Sequence, residues 1–170
     1  MTFKTSGNLV LKYYLMMRCL TMLGLAVGVI SISRYFGLQP PILPCLITFA
    51  VLAGATWLTS LRKNPISKTR HTDLVWNLLL DIIALYTFTY YTGGATNPFV
   101  TLFALPVIFA AATLPVRGSA TIAIAAVTAY TTTMFVNVPL NSDGLNMEVS
   151  EEFLWGNWYA FVLLVTGIAA

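Results

Sequence analysis

Six long apolar runs, each close to the thickness of a lipid bilayer, take up most of the 170 residues. They lie at about 13–33, 42–61, 74–91, 98–114, 119–138 and 153–170, and charges or turn residues close them: Arg34 and Pro40-Pro41, Arg62-Lys63-Asn64-Pro65, Thr92-Gly93-Gly94, Pro115, Pro139. A helix rises about 1.5 Å per residue, so about 20 residues cross a hydrocarbon core of about 30 Å. Lipid offers no partner to a free N–H or C=O, so only helices and closed barrels cross it. The runs are continuous and do not alternate, which removes the barrel. The expected fold is therefore all-α: one polytopic transmembrane domain, a bundle of six helices.

Composition sharpens what is excluded. Only 9% of the residues are charged and the mean hydropathy is +0.79, whereas a soluble domain carries about 25% charged residues. A soluble enzyme is excluded, and no stretch remains for a large domain outside the membrane. The net charge of +3 is not a nucleic-acid signal in such a chain. The first run is about 21 residues long with no small-residue cleavage site behind it, so it reads as a helix and not as a signal peptide.

Basic residues predict the orientation. With the N-terminus in the cytoplasm, Lys4, Lys12, Arg62, Lys63, Lys68, Arg70 and Arg117 all lie inside, and Arg34 is the one basic residue in an outside loop. Asp143, Glu148, Glu151 and Glu152 then fall outside. Lys and Arg decide topology while acids contribute little, so both ends are expected in the cytoplasm.

Two ionisable residues fall inside the spans, Arg18 in the first and Asp81 in the third. Arg18 lies about 9 Å above Lys12 and Asp81 about 12 Å above Asp73, so their depths agree. A charge at that depth costs at least about 2.5–3.5 kcal/mol and turns inward or finds a partner. The expectation is that both face the bundle interior, where they can pair. Asp73, Asn77 and Asp81 recur every four residues and are expected on one face. Two readings stay open: Arg18 snorkels to the inner surface and Asp81 is structural, or the two carry a proton or a signal.

Cys19 and Cys45 sit on the order of 14 Å apart in depth, too far for a disulfide, so two free thiols are expected. Gly24 and Gly28 form a GxxxG step suited to close helix packing. Pro106 removes a donor to the Leu102 carbonyl and predicts a kink in the fourth helix. His71 reads as a solvated loop residue. No metal-ligand cluster, CxxC pair, nucleophile elbow or phosphate loop is present, so no metal site or catalytic residue is expected.

The turn after the third run carries the most information. Gly93 and Gly94 permit a reversal with positive φ. Asn97 suits an N-cap and Pro98 a first helical position, so the fourth helix starts sharply. Such a start offers N–H groups and a positive dipole end, among Tyr86, Phe88, Tyr90, Tyr91, Phe99 and Phe103. Phe99 and Phe103 are expected one turn apart on a shared face. Donors beside an aromatic wall suit a flat amphiphile with carbonyl acceptors, such as a quinone head group. A well-capped turn in an interfacial aromatic belt accounts for the same residues.

The segment Gly93-Gly94-Ala95-Thr96-Asn97-Pro98-Phe99 resembles the GGxxNPF signature of RegB/PrrB-type redox-sensing histidine kinases, on the short outer loop between the third and fourth of six helices where that family carries it. The resemblance implies the N-terminal transmembrane sensor domain of a two-component histidine kinase. Its ligand would be ubiquinone, with Gly93, Gly94, Asn97, Pro98 and Phe99 as the quinone site. It further implies a homodimer in the bacterial inner membrane that signals, through a cytoplasmic ATP-dependent kinase core, to a response regulator. Family members continue after the sixth helix into a dimerisation helix with the phospho-accepting histidine, a redox-active cysteine and an ATP-binding domain. None of these lies within the 170 residues; His71 is no substitute, and Cys19 and Cys45 do not inherit the cysteine's role. The run still apolar at Ala170 reads as the sensor portion of a longer kinase. Competing readings are a small ion or solute transporter using Arg18 and Asp81, and a non-catalytic membrane anchor.

Overall fold

A computed structural model describes residues 7–35, 41–61, 71–138 and 150–169. The order is α1 (Gly7–Tyr35), α2 (Ile42–Ser60), α3 (His71–Tyr91), two 3-10 segments (Gly94–Thr96 and Pro98–Phe103), α4 (Ala104–Thr113), α5 (Val116–Phe135) and α6 (Glu151–Ala169). The described residues contain no strand. The basic residues Lys4, Arg62, Lys63, Lys68 and Arg70 and the acidic Asp143 and Glu148 lie outside the described residues.

Four helices are long and apolar enough to cross a membrane: Leu9–Ser31 within α1, and α2, α3 and α6. The sequence expectation was six, and the two that differ do so for separate reasons. The fourth apolar run is split. Pro98–Phe103 is wound as a 3-10 helix and only Ala104–Thr113 is α-helical. A 3-10 helix rises about 2.0 Å per residue, so the 16 residues from Pro98 to Thr113 still extend roughly 27 Å. The change of winding falls at Phe103–Ala104, which leaves Pro106 in the first turn of α4. In α5 threonines dilute the apolar character. The Thr121, Thr131 and Thr132 hydroxyls donate to the carbonyls of Arg117, Val127 and Thr128 at 2.9, 2.7 and 2.8 Å, which hides their donors from an apolar surrounding.

α3 is the centre of the bundle. It packs on α2 and α5, while α6 lies against α4 and α5 at the periphery; 44% of the apolar window of α3 is buried against 11% for α6. The buried stripe of α3 is Leu74, Leu78, Asp81, Leu85 and Phe88, spaced by four and three residues as a helix face requires. Asp81 is therefore a core position. Asn77, one step of four from Asp81, is half-buried at the edge of this face, whereas Asp73, two steps and about 80° away, is exposed. The matching stripe of α1 is Tyr14, Arg18, Thr21, Leu25 and Gly28. His71 begins α3 and is exposed; it is a helix-end residue, not the loop residue expected.

Candidate functional site: a buried ion pair and a cavity beside the α3–α4 turn

Near the middle of α3, α1 and α3 meet through charge. Arg18 Nε donates to Asp81 Oδ1 at 2.7 Å, and Arg18 Nη2 lies on the same oxygen and donates to the Asn77 carbonyl at 3.3 Å. The Tyr14 hydroxyl donates to Asp81 Oδ2 at 3.1 Å. The Arg18 guanidinium also lies 4.9 Å from the centre of the Tyr14 ring, within cation–π range. Arg18, Tyr14 and Asp81 are all within 1% of complete burial, so Arg18 does not snorkel. The Thr59 hydroxyl of α2 approaches Asn77 Oδ1 at 3.4 Å, and the Tyr14 ring tilts against Phe109 of α4. Four helices thus converge on one neutral ion pair. Desolvating two charges costs several kcal/mol, and only close geometry with both carboxylate oxygens engaged offsets it. Among the described residues Arg18 Nη1 is buried without a partner.

At the C-terminal end of α3, the α3–α4 turn is a closed hydrogen-bonded unit. Gly93 and Gly94 have φ of 98° and 62°. A Cβ on Gly94 would stand 2.5 Å from Asn137 Cβ and 2.6 Å from the Thr133 carbonyl, so glycine is required twice over, by conformation and by contact. The Asn97 side chain accepts from the Phe99 N–H at 2.9 Å, and its amide donates to the Thr92 hydroxyl at 2.6 Å and the Thr92 carbonyl at 3.2 Å. The Val100 N–H donates to the Asn97 carbonyl and the Thr96 hydroxyl to Gly93. The sequence expectation of free N–H groups at this helix start is not what the turn presents. Asn97 is buried and its hydrogen-bonding capacity is spent within the turn.

Phe99 and Phe103 diverge. Four residues along a 3-10 helix rotate about 120° away from the starting face, so Phe103 is fully buried in the core while Phe99 packs on α1. The GxxxG step receives this segment: a Cβ at Gly24 would meet Leu102 at 3.3 Å, and one at Gly28 would meet the Phe99 ring at 3.1 Å. Cys19 is exposed, Cys45 is buried, and both are free thiols. Among the described residues no group of three or more metal-ligating side chains occurs.

On the side of the turn away from α1 is a cavity of about 400 Å³, within the range of about 300–1,000 Å³ typical of small-molecule sites. Ala95, Pro98 and Thr101 form one wall, Tyr130 of α5 the back, and Asn157 and Phe161 of α6 the other wall. Pro98, Thr101 and Asn157 are exposed, so the cavity reaches the surface between the 3-10 segment and α6. The Tyr130 ring is held edge-on to Phe161 at 5.0 Å, and Trp158 Nε1 donates to the Thr131 hydroxyl at 2.8 Å, fastening α6 to α5. Of the residues singled out in the sequence, Asn97 and Pro98 line the cavity, Gly93 and Gly94 shape the turn behind it, and Phe99 points elsewhere. Sequence reasoning missed Tyr14, Thr92, Tyr130 and Asn157. The available signals were a tyrosine one helical turn before Arg18 and an asparagine inside an apolar run.

Fold and site together define an all-helical membrane protein with a clamped ion pair and a cavity between the α3–α4 turn and α6. Its sequence is 25% identical over 154 residues to the sensor histidine kinase RegB of Cereibacter sphaeroides, a match taking in 90% of this chain and 33% of that protein. The chain thus spans about a third of the length of that relative, and its four long apolar helices fit an N-terminal transmembrane domain. No protein-family model and no solved structure matches the chain.

Proposed function

We propose that this chain is the membrane sensor domain of a two-component histidine kinase, and that it responds to the redox state of the respiratory quinone pool. The single observation that carries the reading is the cavity of about 400 Å³ between the signature-like turn and α6, with Pro98, Thr101 and Asn157 exposed at its rim. In this reading a lipid-borne ligand enters between the turn and α6. The residues fit a quinone head group: the lining is apolar and aromatic, with a few polar groups to fix orientation. The likeness to RegB over 90% of the chain supports the same class.

In this reading all six helices traverse the bacterial inner membrane with both ends in the cytoplasm, and the turn lies at the outer rim. Gly93, Gly94 and Asn97 shape the cavity wall, Pro98 edges its mouth, and Phe99 anchors the 3-10 segment to α1. Because α6 forms the wall opposite the turn and is the least buried of the long helices, a ligand between them displaces α6 most easily. A ligand shifts a conformational equilibrium only by its differential affinity for the two states; α6 is the element whose position differs between them. The signal then passes to a kinase core on the same polypeptide, acting as a homodimer on a response regulator.

Titration of the purified chain in lipid nanodiscs with ubiquinone-1, followed by quenching of Trp155 and Trp158, tests the reading. Saturable quenching is expected, and decylbenzene, equally apolar but without carbonyls, is expected not to compete. Absence of saturation would reduce the chain to a membrane anchor.

A further inference from the structure

The 3-10 helix between the turn and α4 is sorted by its own winding into three sides, because residues three apart eclipse in such a helix. Pro98, Thr101 and the following Ala104 line the cavity. Phe99 and Leu102 do not line it and lie against α1, over Gly28 and Gly24. Val100 and Phe103 are buried, and Val100 also reaches the cavity. The helix is six residues long, where 3-10 runs beyond three or four are uncommon, and its register with α1 supplies a reason. Phe99 to Leu102 spans three residues of about 2.0 Å rise, or about 6 Å. Gly24 to Gly28 spans four of about 1.5 Å, again about 6 Å. Both side chains therefore reach both glycine seats at once. Wound as an α-helix, the same three residues would rise only about 4.5 Å and miss one seat.

We infer that Phe99 and Leu102 are positioning residues, through which α1 sets the distance of the Pro98–Thr101 wall from α6 and so the thickness of the quinone ring that the cavity admits; this rests on the function proposed above. The two contacts leave no slack. A Cβ at Gly28 would stand 3.1 Å from the Phe99 ring, and one at Gly24 3.3 Å from the Leu102 methyl carbons, closer than the ordinary carbon contact of about 3.5–4.0 Å. The segment is also braced from within. The Asn97 side chain accepts from the Phe99 N–H, the Val100 N–H donates to the Asn97 carbonyl, and the Thr101 hydroxyl donates to the Pro98 carbonyl. α1 for its part is bound to α3 through Arg18 and Asp81. Close-packed interiors transmit strain, so a push on the α1 side of the segment is carried to its cavity side.

The test titrates the full chain in lipid nanodiscs with two quinones of equal tail and unequal ring, decylubiquinone and decylplastoquinone, by quenching of Trp155 and Trp158. The first carries two methoxy groups that stand out of the ring plane; the second has methyl groups in their place. Gly28→Ala presses on Phe99 without lining the cavity. It should weaken decylubiquinone by at least about fivefold, the lower end of couplings between distinct sites, and decylplastoquinone by distinctly less. Phe99→Leu added to Gly28→Ala shortens the pressed side chain and should return both affinities to near the wild type. Gly24→Ala, with Leu102→Val added to relieve it, makes the same comparison at the second seat if Gly28→Ala does not fold. Wild-type affinities in Gly28→Ala, equal losses for the two rings, or a loss that Phe99→Leu leaves in place each overturn the positioning role while the proposed function stands. No saturable binding of either quinone to the wild type overturns the function itself, and this inference with it.

Discussion

Arg18 and Asp81, 63 residues apart in sequence, meet at 2.7 Å with both side chains shut off from the surface. Tyr14 closes the second carboxylate oxygen and the Asn77 carbonyl takes a second guanidinium nitrogen, so neither charge is left to its own desolvation. Asp81→Asn strips the arginine of its counter-charge in place. Destabilisation of about 3–5 kcal/mol is expected, as for other buried pairs broken from one side. Replacing both, as Arg18→Met with Asp81→Leu, should recover most of the loss, because an apolar pair owes no desolvation. Thermal unfolding in detergent of the two variants separates a clamp from an incidental contact. If Asp81→Asn melts with the wild type, the pair does not hold α1 to α3.

A second prediction contrasts two glycines. Gly94→Ala forces a Cβ into Asn137 and the Thr133 carbonyl at a φ of +62°, where a side chain is already disfavoured. The expected cost is on the order of 1–3 kcal/mol for the backbone strain alone, with the turn displaced from the end of α5. Gly54 in α2 has open space where its Cβ would be, and Gly54→Ala should stabilise that helix by about 0.5–1 kcal/mol. The two melting temperatures should move in opposite directions.

How far the sequence reveals this arrangement depends on which period governs each segment. The apolar runs and turn residues mark every helix, and agreement in depth was enough to associate Arg18 with Asp81. The expectation for Phe99 and Phe103 failed because it assumed 3.6 residues per turn in a segment that winds with three. Of Asp73, Asn77 and Asp81, Asp73 leaves the common face because the small drift per turn accumulates over two turns. The donors expected at the turn were consumed by Asn97 and Thr92, a closure in which Thr92 precedes the recognisable motif. Tyr130 and Asn157 come together only through the packing of α5 on α6, which no local pattern encodes.

Asn97 offers a third prediction, in which shape and chemistry separate. Asn97→Ala removes the cap of the 3-10 helix and leaves the Phe99 N–H and the Thr92 hydroxyl without their partner. A loss of about 1–2 kcal/mol is expected. Thr92→Val removes only the hydroxyl beneath the amide and should cost less. Because Asn97 acts by shaping the wall, ubiquinone-1 affinity should fall in proportion to the stability lost across this pair of variants. A fall in affinity with unchanged melting would instead make the Asn97 amide a direct ligand contact.

The last prediction concerns the coupling of α6. Trp158 Nε1 donates to the Thr131 hydroxyl at 2.8 Å, which ties α6 to α5 one residue beyond Asn157. Trp158→Phe keeps a ring and deletes the donor, at a cost of about 0.5–1.5 kcal/mol. Since α6 is little buried, that bond is a sizeable part of what fixes its position against the cavity. A spin label at Gly156, whose Cβ position is open, should report a broader distance distribution to a label at Val136 in Trp158→Phe than in the wild type. Adding ubiquinone-1 should narrow it again, because a head group held between the turn and α6 replaces the lost tie. If the distribution is as narrow in the variant as in the wild type, α6 is held by its apolar contacts alone and is not the element that a ligand moves.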